Sequence, residues 1–203
     1  MNKTKLINTL IIIGVSIFSI FWLFFGNHEQ TLYKNLIIIS IIPVLLMPTL
    51  VRNLFKIKIE PEVELIYLLF IFFSQFLGGS LNFYSNVLFY DKLIHGISGI
   101  MTSFLALIIL VKSNSYSKNP LWVNVLFIIC VTLSVASFWE FFEFINDNIF
   151  GKDAQKVLST GVSDTMLDML AAFICSIGFS ILYIIEEKLN KNILVKKFIN
   201  KIS

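Results

Sequence analysis

The chain has 203 residues, of which 57% are hydrophobic, and its formal net charge is +3. Its mean hydropathy of +0.83 exceeds what the core of one soluble domain of this length needs. The composition therefore excludes a soluble globular protein and predicts an integral membrane protein, and the small net charge gives no reason to expect nucleic acid as a partner.

Six apolar segments are long enough to cross about 30 Å of hydrocarbon as helices. They lie at residues 6–25, 32–51, 62–81, 88–111, 121–145 and 163–185. The first follows Lys3 and Lys5 as a signal peptide would, but its apolar run is too long for one and lacks a small-residue cleavage site, so we interpret it as a retained anchor. Pro43 and Pro48 predict a bend in the second segment. The predicted fold is all-α: a polytopic membrane protein with about six transmembrane helices in a single domain, residues 1–203.

The basic residues predict the orientation, because Lys and Arg are retained on the cytoplasmic side of a membrane. With the N-terminus inside, twelve of the 16 basic residues fall in the cytoplasm. They are Lys3, Lys5, Arg52, Lys56, Lys58, Lys112, Lys118, Lys188, Lys191, Lys196, Lys197 and Lys201, and those left outside are Lys34, Lys92, Lys152 and Lys156. Both termini are therefore predicted to be cytoplasmic, in a multi-pass protein of the plasma membrane.

The basic cytoplasmic tail at residues 186–203 has two interpretations. It forms an amphipathic helix on the inner membrane surface, attracted by anionic lipid, or it is a solvated tail. Membrane lipids are predicted partners in either case, and the sequence does not indicate an oligomeric state.

Acidic residues and a histidine gather at the predicted outer ends of the last three spans, although ionised groups are costly at membrane depth. They form the pairs Asp91 and His95, Glu140 and Glu143, and Asp164 and Asp168. Spacings of three or four residues project each pair from one side of its helix. We therefore expect an outward-facing polar pocket, which Gln75 of the third span could join. A plain helix-capping role is the alternative for Asp164, and a similar one for Asp91.

One imidazole and several carboxylates are suitable ligands for a divalent cation such as Mn, Mg, Ca, Fe or Zn. The carboxylates need a positive charge nearby, and Lys92 is the only cationic side chain expected in the cluster. The predicted metal ligands are His95, Glu140, Glu143 and Asp168, with Asp91 and Asp164 as direct or supporting ligands. Such a metal would activate water to hydrolyse a lipid or envelope-linked substrate at the outer leaflet. Glu140, His95 and Asp168 are the predicted catalytic residues.

Three other interpretations stay open, and with them the question of whether the protein is an enzyme. A metal-free site would pair a protonated glutamate with a second one in general acid/base catalysis. A proton or cation transporter would need a relay, yet the inner halves of the last three spans hold no ionisable side chain. Their hydroxyl side chains commonly serve helix packing; these are Thr102, Ser103, Thr132 and Ser176. A non-enzymatic envelope interaction protein would use the polar network only to hold its helices together.

Three motifs carry a resemblance to a known family: "DKLIHGISG" at 91–99, "WEFFEF" at 139–144 and "GVSDTMLDMLAA" at 161–172. They resemble the YjdF-type family of bacterial inner-membrane proteins, in which an Asp and a His, a Glu-containing segment and a pair of Asp residues recur in this order on successive helices. A looser resemblance to VanZ-like proteins covers the same stretch. The resemblance implies a multi-span protein of the bacterial inner membrane whose biochemical activity is not established.

Overall fold

The computed structural model describes residues 3–26, 31–56 and 58–202. Within these ranges the regular secondary structure is helical. Five helices are long and apolar enough to span a membrane, and a bent helix pair makes a sixth. The predicted all-α membrane protein with about six spans is therefore confirmed. The cytoplasmic placement of both termini stays a prediction.

The chain divides into two compact units, Met1–Tyr90 and Asp91–Ser203. The helices in chain order are α1 (Lys3–Phe25), α2 (Leu32–Leu45), α3 (Met47–Phe55), α4 (Pro61–Ile71, followed by a π-helical segment Phe72–Ser80), α5 (Phe83–Asn86), α6 (Tyr90–Lys112), α7 (Leu121–Phe150), α8 (Val157–Thr160), α9 (Ser163–Lys188) and α10 (Val195–Ile202). The assignment of both units to one domain stays a prediction.

The first unit shows how its proline-containing span is accommodated. α2 and α3 meet at an angle of 44° around Leu46, which confirms the bend expected from Pro43 and Pro48. Pro48 has no N–H to donate to the carbonyl of Val44, four residues earlier. The hydroxyl of Tyr67 on α4 donates a hydrogen bond to that carbonyl at 2.8 Å. A neighbouring side chain thus supplies a donor where the proline has none, as hydrocarbon surroundings require.

The second unit is built on α6, α7 and α9. α10 packs against the basic end of these helices, which carries Lys112, Lys118 and Lys188. Its buried core consists of Ala106, Leu107, Leu110, Ile128, Phe179, Tyr183, Val195 and Ile199. α7 continues to Phe150, beyond the end expected at residue 145, and stops at Gly151, whose φ is +60°. The polar residues Asn146 and Asn148 do not end this helix because their amides donate to the carbonyls one turn earlier. The fifth span is therefore longer than predicted.

The tail folds back on the second unit as a packed helix. Val195 and Ile199 are buried in the core, and Phe198 makes an edge-to-face contact with Phe104. The carboxylate of Glu186 is buried and accepts four backbone N–H groups, from residues 193–196, at 2.9–3.3 Å. It thereby satisfies the unpaired donors at the start of α10. These contacts exclude a fully solvated tail for the described residues; Ser203 lies outside them.

Candidate functional site

The first turns of α6 and α9 form the centre of an ionic cluster. Nζ of Lys92 lies 2.6 Å from Oδ1 of Asp164 and 2.8 Å from each carboxylate oxygen of Asp168. It also lies 3.5 Å from Asp91. The paired residues predicted on these two helices therefore face one another. Asp164 binds lysine side chains, and no side-chain cap is formed at the start of α9.

A second lysine enters the cluster from the loop between α7 and α9, so the expectation that Lys92 is its only cation is wrong. Nζ of Lys156 lies 2.7 Å from Oδ2 of Asp91 and 3.3 Å from Oδ2 of Asp164. Burial lowers the pKa of the Lys156 ammonium, but its hydrogen bond to Asp91 and the charges of both carboxylates outweigh burial and raise that pKa above its ordinary value. Lys156 could not be placed in the cluster from the sequence, because helical periodicity does not predict where a loop side chain points.

His95 lies between carboxylates of two helices. Its Nε2 is 3.7 Å from Oδ1 of Asp91 and 3.8 Å from Oδ1 of Asp168. One ligand atom from each of these three residues lies within 4.8 Å of the other two. The Asp168 side chain is buried, and its Oδ1 has Nζ of Lys92 at 2.8 Å as a charged partner. The three residues together offer one nitrogen and two oxygen donors, which suit a divalent cation.

α7 contributes the buried carboxylate of Glu140. The side-chain amide of Gln155 donates to the backbone carbonyl and to Oε2 of Glu140, both at 3.2 Å, and to Oγ1 of Thr165 at 3.2 Å. Oε1 of Glu140 has no hydrogen-bond partner among the described residues. The carboxylate interacts electrostatically with His95 and Asp168. The site thus contains a carboxylate held through one oxygen while the other stays unbonded.

The loop that supplies Gln155 and Lys156 is held by Asp147 in the last turns of α7. The Asp147 carboxylate accepts the backbone N–H groups of Ala154 at 2.8 Å and Gln155 at 3.1 Å. These bonds turn the chain back along α7, so that Gln155 reaches Glu140. This role of Asp147 was not predicted. The sequence offers only a weak signal for it, an acidic residue one turn before a glycine that ends the helix.

Glu143 and Gln75 are the two remaining residues predicted in the pocket. Glu143 accepts a hydrogen bond from Nε1 of Trp139 on its own helix at 2.9 Å and is half-buried. It is not one of the three residues whose ligand atoms converge. Gln75 lies in the first unit, in the π-helical segment. Roles for Glu143 and Gln75 at the site stay predictions.

Immediately below the cluster, α6 and α9 approach each other at backbone distance. A Cβ atom built on Gly99 would lie only 2.4 Å from the carbonyl oxygen of Ala172. Gly99 follows His95 by one helical turn, and Ala172 follows Asp168 by one turn. The cluster is therefore closed on its inner side by direct helix contact.

The predicted hydroxyl residues form the next layer. Oγ of Ser103 lies 3.1 Å from Oγ of Ser176 and 3.4 Å from Oγ1 of Thr132. These bonds join the three helices α6, α7 and α9. Leu107 and Ile128, both with no exposed surface, follow one turn further in. The hydroxyl groups here serve helix packing, since an apolar layer separates them from the basic end.

Comparisons with known proteins agree with the multi-span architecture. A model of the family described as "Predicted membrane protein (DUF2238)" matches residues 8–188. An uncharacterized protein of Thermotoga maritima is 34% identical over 102 residues, which cover 49% of this chain and 50% of that protein, so the chain spans about half the length of the curated relative it matches. No solved structure matches. The chain is a multi-pass membrane protein and belongs to the DUF2238 family, which is the YjdF family.

Proposed function

We propose that the second unit is a metal-dependent hydrolase that acts on a lipid or cell-envelope substrate at the outer leaflet. The observation that carries this proposal is the convergence of one oxygen of Asp91, one nitrogen of His95 and one oxygen of Asp168 within 4.8 Å. Ligands of a tetrahedral ion bound at about 2.1 Å lie about 3.4 Å apart. The separations from Nε2 of His95 to the two carboxylate oxygens, 3.7 and 3.8 Å, need to shorten by only a few tenths of an ångström, and the ligand atoms of Asp91 and Asp168 lie within 4.8 Å of each other.

Glu140 is the proposed proton acceptor. Gln155 donates to its Oε2, and its Oε1 has no hydrogen-bond partner among the described residues, so Oε1 is the atom that would take a proton from the water that a bound metal would activate. In the proposed hydrolysis, the water oxygen bonds to the electrophilic carbon or phosphorus of the substrate and the ester oxygen leaves. The proton taken by Glu140 passes to the leaving oxygen, so that the carboxylate is restored.

The packing below the cluster favours this proposal over transport of protons or cations. A transport path would have to pass the Gly99 and Ala172 contact and then the layer of Leu107 and Ile128. Neither layer offers a side chain that carries a proton. A non-enzymatic role, in which the ion pairs only hold the helices together, is the competing outcome of the test below.

The test is the metal content of detergent-purified protein after a chelator wash and reloading with Mn, Zn, Ca or Mg. We expect close to one cation per chain in the wild type and its loss in His95→Ala and Asp168→Asn. Asp153→Asn is the matched control, because the Asp153 carboxylate accepts the backbone N–H of Leu158 in its own loop and is not among the converging residues. A wild type that binds no cation, and whose thermal stability is unchanged by all four metals, would overturn the proposal in favour of a metal-free network.

A further inference from the structure

The two lysines of the cluster differ in how far they are buried. The Lys92 side chain is 23% exposed and lies against α9, whereas the Lys156 side chain is 35% exposed and reaches the carboxylates from the loop. Lys156 is thus the cationic group nearest to the outside of the site. Its backbone has a φ of +53°, the left-handed conformation that non-glycine residues rarely adopt. The loop holds this unfavourable conformation at the residue whose ammonium enters the cluster.

A divalent cation raises the net charge of this cluster by two. Three aspartates and two ammonium groups leave one net negative charge, and a divalent cation turns this into one net positive charge. With an ionised Glu140, the balance moves from two net negative charges to zero. The aspartates that bind the cation also attract the ammonium groups less strongly, since part of their charge is neutralised. Both lysines then become available to a negatively charged group.

Three apolar side chains of the same loop are exposed. Leu158 is 90% exposed, Val162 is 68% exposed and Val157, next to Lys156 in sequence, is 51% exposed. Gln155 and Lys156 point inward to Glu140 and Asp91, so these apolar side chains lie on the face of the loop away from the cluster, among the exposed polar residues Lys152, Ser159 and Thr160. Exposed side chains of this kind are suited to hydrocarbon at the membrane boundary. A substrate with both an anionic group and an acyl chain fits this surface.

We propose that the substrate of this site carries a phosphate group, as a phospholipid headgroup does, and that Lys156 and Lys92 bind its oxygens beside the cation. This inference rests on the proposed cation site. Lysine is a common point-charge partner of phosphate oxygens, and a cation that bridges the same oxygens would orient the ester bond toward Glu140. Phosphate chemistry also occurs in soluble anions, so the experiment separates the two sources.

The experiment measures binding of three probes to the metal-loaded full-length protein in detergent: short-chain phosphatidic acid, diacylglycerol with the same chains, and inorganic phosphate. We expect phosphatidic acid to bind more tightly than diacylglycerol. Lys156→Met should weaken its binding about tenfold or more, because a hydrogen bond between charged groups is lost, while Lys156→Arg retains most of it. Lys118→Met, which removes a charge from an exposed loop at the other end of the unit, is the matched control and should have no effect.

Metal content is measured on the same samples, which separates the two proposals. Equal binding of phosphatidic acid and diacylglycerol, or unchanged binding in a Lys156→Met protein that retains its cation, overturns the inference and leaves the cation site intact. A wild type without any cation overturns both. Inorganic phosphate that binds as tightly as phosphatidic acid, and depends equally on Lys156, supports the phosphate chemistry and assigns it to a soluble anion.

Discussion

Gly99 provides the sharpest test of the packing beneath the cluster. In Gly99→Ala the new Cβ would lie 2.4 Å from the carbonyl oxygen of Ala172 and 2.8 Å from its Cα. An ordinary contact between carbon and oxygen needs about 3.3 Å, so α6 and α9 must separate by about 0.9 Å. The obstructing atoms belong to the backbone, and they cannot rotate away as a side chain would.

Overpacking of this kind costs about 1–3 kcal/mol, and we expect the upper end because a whole helix must move. At about 2–4 °C per kcal/mol for a chain of this length, the melting temperature should fall by about 6–12 °C. Thermal unfolding of the detergent-purified variant measures this change. Cation binding should weaken in parallel, since His95 and Asp168 lie one turn from the two helices' closest contact.

Two other glycines calibrate the measurement. A Cβ on Gly178 meets nothing within 4 Å, so Gly178→Ala should be neutral or slightly stabilising through its better helix propensity. A Cβ on Gly96 meets Sγ of Cys175 at 3.0 Å, and Gly96→Ala should have an intermediate effect because the thiol can shift. If Gly99→Ala melts at the same temperature as Gly178→Ala, the two helices do not approach at this layer and the reasoning is refuted.

Two predictions concern the ends of the second unit. A topology reporter inserted at Lys152 should be active only outside the membrane, and one fused after Ser203 only in the cytoplasm. The distribution of the 16 basic residues implies this orientation. A cytoplasmic signal from the reporter at Lys152 would contradict it. Glu186→Ala should release α10, because four backbone N–H groups lose their acceptor, and limited proteolysis should then cleave the tail near Lys196. Lys188→Ala, at an exposed residue of the same helix end, is the control, and equal protease resistance of both variants would contradict the capping role of Glu186.

Helical spacing explains the part of the cluster that could be predicted. Each of α6 and α9 carries two cluster residues four positions apart: Asp91 with His95, and Asp164 with Asp168. The predicted spans lie close to the observed helices, so the convergence of the pairs required only that α6 and α9 be neighbours. Pro43 and Pro48 likewise predicted the bend because a missing N–H has the same consequence in every helix.

The loop contributions could not be predicted in this way. Lys156 and Gln155 reach the cluster because Asp147 fastens the loop along α7, and that return depends on hydrogen bonds between residues seven and eight positions apart in a segment without periodicity. The length of α7 was underestimated for a related reason. Asn146, Asp147 and Asn148 resemble a loop in composition, although in the structure they occupy helical positions up to Gly151.

The unequal helix lengths of the second unit have a consequence for how the bilayer acts on the cluster. α6 has 23 residues and α7 has 30, which correspond to about 35 Å and about 45 Å, whereas the hydrocarbon layer is about 30 Å thick. The ends of α6 and α9 that carry the cluster should lie close to the hydrocarbon boundary, while α7 can tilt or project. Longer acyl chains would draw Asp91 and Asp164 into the hydrocarbon, and shorter ones would leave them among headgroups. Acyl-chain length is therefore a physical control on how costly the charges of this cluster are.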